Sequence, residues 1–240
     1  TRFRYLLDFS GFTRLDKFEV EDVEFQCSEY ASGLMLPRSG TVNVVRNCVF
    51  NRPKDRGLTS IGEGCQGLLV DYNQFITAEA GTDTQSRRSI ALNTNANDVK
   101  IRNNRASQFR HFAVVSGANG VISGNHFFQG DGSDSGVRSA GIVLCLKATN
   151  TTISGNYVDN CFIEWTNERE PEPDFTSGFG FSGLSLTGNV FLCSNVADHF
   201  AFIVVKPYGQ NHRVNGLNVS GNLFRSVGQV IDRVERVDDS

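Results

Sequence analysis

The side chains best suited to chemistry fall in three neighbouring stretches. TAEAGTDTQSRR, residues 77–88, carries Glu79, Asp83, Arg87 and Arg88. SQFRH, residues 107–111, carries Gln108, Arg110 and His111, and QGDGSDSGVR, residues 129–138, carries Asp131, Asp134 and Arg138. Carboxylates beside a histidine can move protons, and arginines among them can hold an acidic or hydroxylated ligand. The set that would carry acid–base chemistry is Asp83 with Asp131, assisted by His111, if the two carboxyl groups stand about 5 to 9.5 Å apart. Glu79, Arg87, Arg88, Gln108, Arg110, Asp134 and Arg138 would then contact the ligand. Asp131 and Asp134 lie in GDGSD, but two acids without a bidentate partner are too few for a calcium loop.

A second group combines Lys147, Glu164, Trp165 and Lys206 with the insertion NEREPEPDFTSGFGF, residues 167–181. An exposed Trp165 would stack on a sugar ring, whereas a buried one would fill the interior. No metal site and no cofactor is expected, because no CxxC occurs and His111, His126, His199 and His212 are scattered. Cys27, Cys48, Cys65, Cys145, Cys161 and Cys193 lack paired spacing and are read as buried free thiols. Cys27, Cys161 and Cys193 follow the same repeat position and are expected to line one interior stack.

The elements that position these groups come from an internal repeat. VEDVEF (from Val20), VVRNCVF (Val44), VDYNQF (Val70), IRNNRA (Ile101), ISGNHF (Ile122), ISGNYV (Ile153), LTGNVF (Leu186) and VSGNLF (Val219) share one template. It runs aliphatic, two small or polar residues, usually Asn, any residue, then usually Phe. A period of roughly 20 to 35 residues is the mark of a solenoid. Each copy reads as one strand, preceded by a second apolar strand such as LTSIG at Leu58, FAVVS at Phe112 or GIVLCLK at Gly141. One coil is therefore expected to be strand, tight turn, strand and variable loop. Stacked coils would align Asn73, Asn104, Asn125, Asn156, Asn189 and Asn222 into an amide ladder, with Val23 and Cys48 breaking it at the N-terminal end. Phe25, Phe50, Phe75, Phe127, Phe191 and Phe224 would form an aromatic stack. The long stretches 77–88 and 129–138 would flank the short 107–111 and wall a trough across the side of the solenoid.

Composition narrows the classes further. The 240 residues include 24 Gly, 19 Phe and 5 Pro, which with the unbroken repeat predicts a single elongated domain over 1–240. A net charge of -3 argues against a nucleic-acid partner, which needs a basic stripe. No apolar run approaches a membrane span, so no membrane insertion is expected. The sequence starts at Thr1 and stops in a strand-like VERVDDS, so a piece of a longer chain is expected. Sequons at Asn150 and Asn218 read as incidental turn and strand residues in a bacterial or viral protein.

With its Asn and aromatic ladders, the chain resembles the right-handed parallel β-helix proteins of the pectate-lyase superfamily over almost its whole length. The resemblance implies an all-β, single-stranded right-handed parallel β-helix of about eight coils, and among its activities lyases, hydrolases, epimerases and glycan-binding tailspikes. The polygalacturonase segment Asn-Thr-Asp is met by Asn93, Thr94 and Asn95, without the carboxylate; Asp238 and Asp239 lie in the tail. The pectate-lyase segment Arg-x-Pro-x-x-Arg is met by Arg52, Pro53 and Arg56 with the first arginine displaced by one place, which reads as a solvated turn with a basic rim. The alginate-epimerase segment Asp-Pro-His-Asp is absent.

Three expectations follow. The first is a module that recognises a polysaccharide or cell-surface glycan, like the shafts of tailspikes, as a homotrimer on a virion, particle or extracellular surface. In that case an outward apolar stripe should bury against symmetry mates. The second is a polysaccharide lyase or glycoside hydrolase acting on an acidic glycan in the trough. The third is a passive structural spacer.

Overall fold

The computed structural model describes residues 4–61, 65–77, 89–128, 140–145, 147–166, 180–193, 201–206 and 213–226. These residues form three parallel sheets of eight strands each. The first sheet holds Tyr5–Asp8, Ser32–Met35, Arg56–Ser60, Ile90–Thr94, His111–Val115, Ala140–Leu144, Phe162–Thr166 and Ile203–Lys206. The second holds Lys17–Glu21, Val42–Arg46, Leu69–Asp71, Lys100–Arg102, Val121–Ser123, Thr151–Ser154, Gly180–Thr187 and Arg213–Ser220. The third holds Glu24–Gln26, Val49–Asn51, Gln74–Ile76, Arg105–Ser107, His126–Phe128, Tyr157–Asp159, Val190–Cys193 and Leu223–Ser226. Apart from the terminal strands of each sheet, every strand pairs with its counterpart one coil before and one coil after, which is the topology of a parallel β-helix. Among the described residues no helix is long and apolar enough to cross a membrane.

Each coil carries three strands where the sequence suggested two. The template is divided: in ISGNHF, Ile122 belongs to the second sheet and Phe127 to the third. The reason lies in the spacing, because the Asn and the Phe stand an odd number of residues after the aliphatic position. A straight strand would put them on opposite faces from it. Instead, the residue before each Asn position turns the corner in the left-handed region. Asp22, Asn47, Tyr72, Asn103, Gly124, Gly155, Gly188 and Gly221 occupy that place, with φ between 52° and 65°. Asn and Gly tolerate this conformation best, which explains their frequency there. The turn brings Ile122 (0% exposed), Asn125 (3%) and Phe127 (1%) to the same interior.

The amide ladder is continuous from Asn73 to Asn222. In each rung the Oδ1 of one Asn accepts the backbone N–H of the previous Asn at 2.9–3.0 Å. Its Nδ2 donates to a main-chain carbonyl of the preceding coil, such as Ile101 O from Asn125. Buried corner amides and carbonyls that the sheets leave over are thereby satisfied. Cys48 ends the amide series but keeps part of its pattern. Its N–H donates to Asn73 Oδ1 at 2.9 Å, and its thiol donates to Val20 O at 3.5 Å and Arg46 O at 3.2 Å.

The aromatic stack is not continuous. Phe25, Phe50 and Phe75 stack at 4.7 and 4.8 Å, and Phe191 stacks on Phe224 at 5.0 Å. Ala106 and Val158 interrupt the file between these blocks. Volume missing at Ala106 is supplied by Phe109, edge-on to Phe75, and by Phe112, which packs on Phe127. Stacked rings also demand space from the first sheet. A Cβ at Gly33 would come within 2.7 Å of Phe50, and one at Gly57 within 2.9 Å of Phe75.

All six cysteines are free and buried. Burial pushes the Cys27 thiol up to about 12 and Cys65 to about 11, so both are inert at neutral pH. Cys161 is raised by burial and by the nearby Asp159 and Cys193. Cys161 and Cys193 thus adjoin, whereas Cys27 lies at the opposite end of the third sheet and joins no common stack.

Candidate functional site

The register of the first sheet builds the site. Tyr5 pairs with Ser32, Arg56 with Ile90, and Ile90 with His111, so these residues form one file at the N-terminal edge of that sheet. Arg4, Asp55 and Arg110 each precede a member of the file by one residue. Main-chain bonds fix the coils against one another there, from Ser32 N to Arg4 O, Ile90 N to Asp55 O and Arg110 N to Ser89 O, at 2.9–3.0 Å. Ser32 Oγ accepts the N–H of Arg56 at 3.2 Å. The side chains of both rows surround a concavity of about 290 Å³.

Among the described residues, three arginines, Arg4, Arg56 and Arg110, and one acidic residue, Asp55, line this concavity. That balance is opposite in sign to the chain as a whole, whose net charge is -3. Guanidinium groups suit carboxylate, sulfate or phosphate groups because they donate in a planar fork. His111 lines the same concavity with 4% exposure, and its Nδ1 lies 2.5 Å from Ala140 O. A carbonyl oxygen only accepts, so Nδ1 is the donor in this bond.

His111 and Arg110, expected on the trough floor, are therefore brought together at one cavity. Gln108 sits at the corner before them, in the left-handed region at φ 61°. It is 9% exposed, and its Oε1 has no hydrogen-bond partner among the described residues. Glu79, Asp83, Arg87, Arg88, Asp131, Asp134 and Arg138 lie outside the described residues, so the separation of Asp83 from Asp131 has no place in the geometry. Arg4, Tyr5, Asp55 and Arg56 were not singled out as a site by sequence. RPKDR, residues 52–56, was the one signal: Arg52 turns the corner at φ 51°, Arg52 and Asp55 are exposed as expected of a solvated turn, and Asp55 and Arg56 also line the cavity.

The second expected group resolves differently. Trp165 is fully buried in register with Leu144 and Val205, and meets Phe181 edge-on at 5.2 Å. It fills the coil and presents no face to a sugar, so its expected place in a binding surface is corrected. Its Nε1 has no hydrogen-bond partner among the described residues. Glu164 points to the other side of the same strand, into a file with Val143 and Val204, and pairs with Lys206 at 3.2 Å. That outer face is buried and apolar there: Val114, Ala140, Val143 and Cys145 form a second cluster against Ile90 and Phe162. Lys206 neutralises a carboxylate with 9% side-chain exposure, a structural role. Lys147 is exposed in the turn after Ala140–Leu144.

Among the described residues no cluster of three or more His, Cys, Asp or Glu side chains is placed to hold a metal ion. No protein-family model and no curated protein matches the sequence.

Proposed function

We propose that this chain is a polysaccharide-recognising β-helix module that takes an anionic glycan at the Arg4–Arg56–Arg110 concavity. The observation that carries it is the excess of arginine over acidic side chains among the described residues lining the concavity, on an acidic chain. Arg4, Arg56 and Arg110 stand at the N-terminal ends of alternate strands of one sheet, so their backbones are fixed relative to one another, which limits the ordering cost of binding. As a type, the reading groups the chain with tailspike shafts and related β-helices of the pectate-lyase superfamily. A cyclic homotrimer is part of that reading and is checked by sedimentation.

The experiment is retention of the chain by immobilised polygalacturonate, with dextran as the neutral comparison. Retention on the acidic polymer alone, weakened about tenfold by Arg56→Ala or Arg110→Ala, supports the proposal. Equal retention on both polymers, or none, overturns it.

His111 supports a second reading, a lyase on the same ligand. Nε2 would take the proton beside a uronate carboxylate held by an arginine. The electron pair would form a carbon–carbon double bond and expel the glycosidic oxygen, which takes a proton from solvent. Unsaturated ends absorbing in the ultraviolet, lost in His111→Gln, would establish it. Retention without new ends leaves the binding module.

A further inference from the structure

The third sheet has an outer face that changes character along the solenoid. One register file reads Glu24, Val49, Gln74, Arg105, His126, Tyr157, Val190 and Leu223. The file beside it ends in Phe128, Asp159, Leu192 and Arg225. At the N-terminal end the face is mainly polar and bonded to itself, with Gln26 donating to Glu24 and Asn51 to Gln26, and with Val49 and Ile76 as its apolar members. From His126 onward it is aromatic and aliphatic, although it points away from the core. Tyr157 and Phe128 are half-buried, His126 is exposed and Leu223 is 56% exposed.

The rings are arranged in a triangle. His126 and Tyr157 lie on adjacent coils with centroids 4.6 Å apart and planes at 72°. Phe128 is two residues beyond His126 on the same strand and therefore on the same face. Exposed Arg105 and Arg225 bracket the patch, and the Asp159 between them is 5% exposed. Partial burial and Arg105 lower the His126 pKa, and burial raises Tyr157, so both rings are uncharged at neutral pH.

We propose that this face is a second carbohydrate contact, on which pyranose rings of an acidic glycan stack against His126, Tyr157 and Phe128 while their anionic groups meet Arg105 and Arg225. Size selects the occupant. Three coil rises by two residues of strand give about 14 Å by 7 Å, on the order of 100 Å² of face. A stable protein partner needs roughly 800 Å² on each side. Sugar rings carry C–H faces that suit uncharged aromatic rings and hydroxyls that suit the flanking polar groups. The surface is separate from the first-sheet concavity, and rests on the proposed glycan recognition only for the class of ligand.

The test uses the whole chain and its Tyr157→Ala, His126→Ala and Gln74→Ala variants, with the Arg56→Ala/Arg110→Ala double variant run in parallel. Affinity for polygalacturonate is read by calorimetry and mass by light scattering. Tyr157 and His126 point outward, so thermal melts of their variants should match the wild type. Expected is a weakening of about tenfold in Tyr157→Ala, a smaller one in His126→Ala, and none in Gln74→Ala or Tyr157→Phe. Unchanged affinity in Tyr157→Ala, with loss in the arginine double variant, overturns the second contact and leaves the concavity standing. Loss in Tyr157→Ala with the double variant unaffected supports the face and removes the concavity. A fall in mass rather than affinity in Tyr157→Ala makes the face a self-association surface and overturns the proposal.

Discussion

On the outer face of the second sheet, Glu21, Arg46, Asp71 and Arg102 occupy one register file in the N-terminal coils. The same file continues as Ser123, Ser154, Thr187 and Ser220 in the C-terminal coils. The corner beside it changes in step, from Asp22, Asn47, Tyr72 and Asn103 to Gly124, Gly155, Gly188 and Gly221. N-terminal coils tie themselves together from outside, through the ion pairs Arg46–Glu21 and Arg102–Asp71 and the hydrogen bonds that the Asn47 and Asn103 side-chain amides donate to Asp22 and Asp71. C-terminal coils keep a bond from Asn218 Nδ2 to Ser185 Oγ and are otherwise tied by the interior ladder, which is complete only from Asn73 onward. One interior rule therefore supports two exteriors.

The largest effect expected from this contrast is at the ladder. Asn125→Leu strands the Asn104 N–H and the Ile101 carbonyl, and should cost about 3 to 5 kcal/mol in urea unfolding. Cys48→Ala removes only weak thiol bonds and should cost about 1 kcal/mol. Equal costs would mean that the two ends of the ladder do not differ.

At the corner, Gly155 has φ 63° and nothing within 4 Å of an added Cβ. Gly155→Asn should stay within about 0.5 kcal/mol of wild type, since Asn103 stands at the equivalent place, whereas Gly155→Val should lose about 1 to 2 kcal/mol. A neutral valine would break the conformational explanation of the glycine file. On the face itself, Arg102→Ala should cost about 1 kcal/mol at low salt and less at high salt, because Asp71 keeps its bond from Asn103. Ser154→Ala should change stability by less than about 0.5 kcal/mol.

The smallest effect concerns pH. The folded-state pKa of His126 lies below its ordinary 6.5, so the unfolded chain binds more protons between the two values. Stability from this group is full above 6.5 and is lost as pH falls below it. His126→Gln should flatten that part of the stability profile, measured by urea titration from pH 7 downward; a steeper acid limb would contradict the assigned cause.

The repeat and the ladder were legible because identical positions recur: six asparagines cannot all stay in register on a solenoid without stacking. The third strand was hidden because a left-handed corner residue interrupts neither hydrophobicity nor length, although the odd spacing from Ile122 to Asn125 and Phe127 carried the information. The aromatic file was overread, since Ala106 is compensated by Phe109 and Phe112 from other elements. His111 and Arg110 were found through loop lengths. Arg4 and Arg56 were not, because their meeting with Arg110 depends on pairing across variable connections that sequence does not fix. Trp165 could be read either way until its register with Leu144 and Val205 placed it inside.

The most direct test of the account is a backbone-amide NMR titration of the whole chain with soluble oligogalacturonate. The account predicts shifts concentrated at Arg56, Arg110 and His111 and on the His126–Tyr157 face, with the Glu24–Gln74 face silent. Shifts centred on the ion-paired N-terminal face, or none anywhere at saturating oligosaccharide, would contradict it.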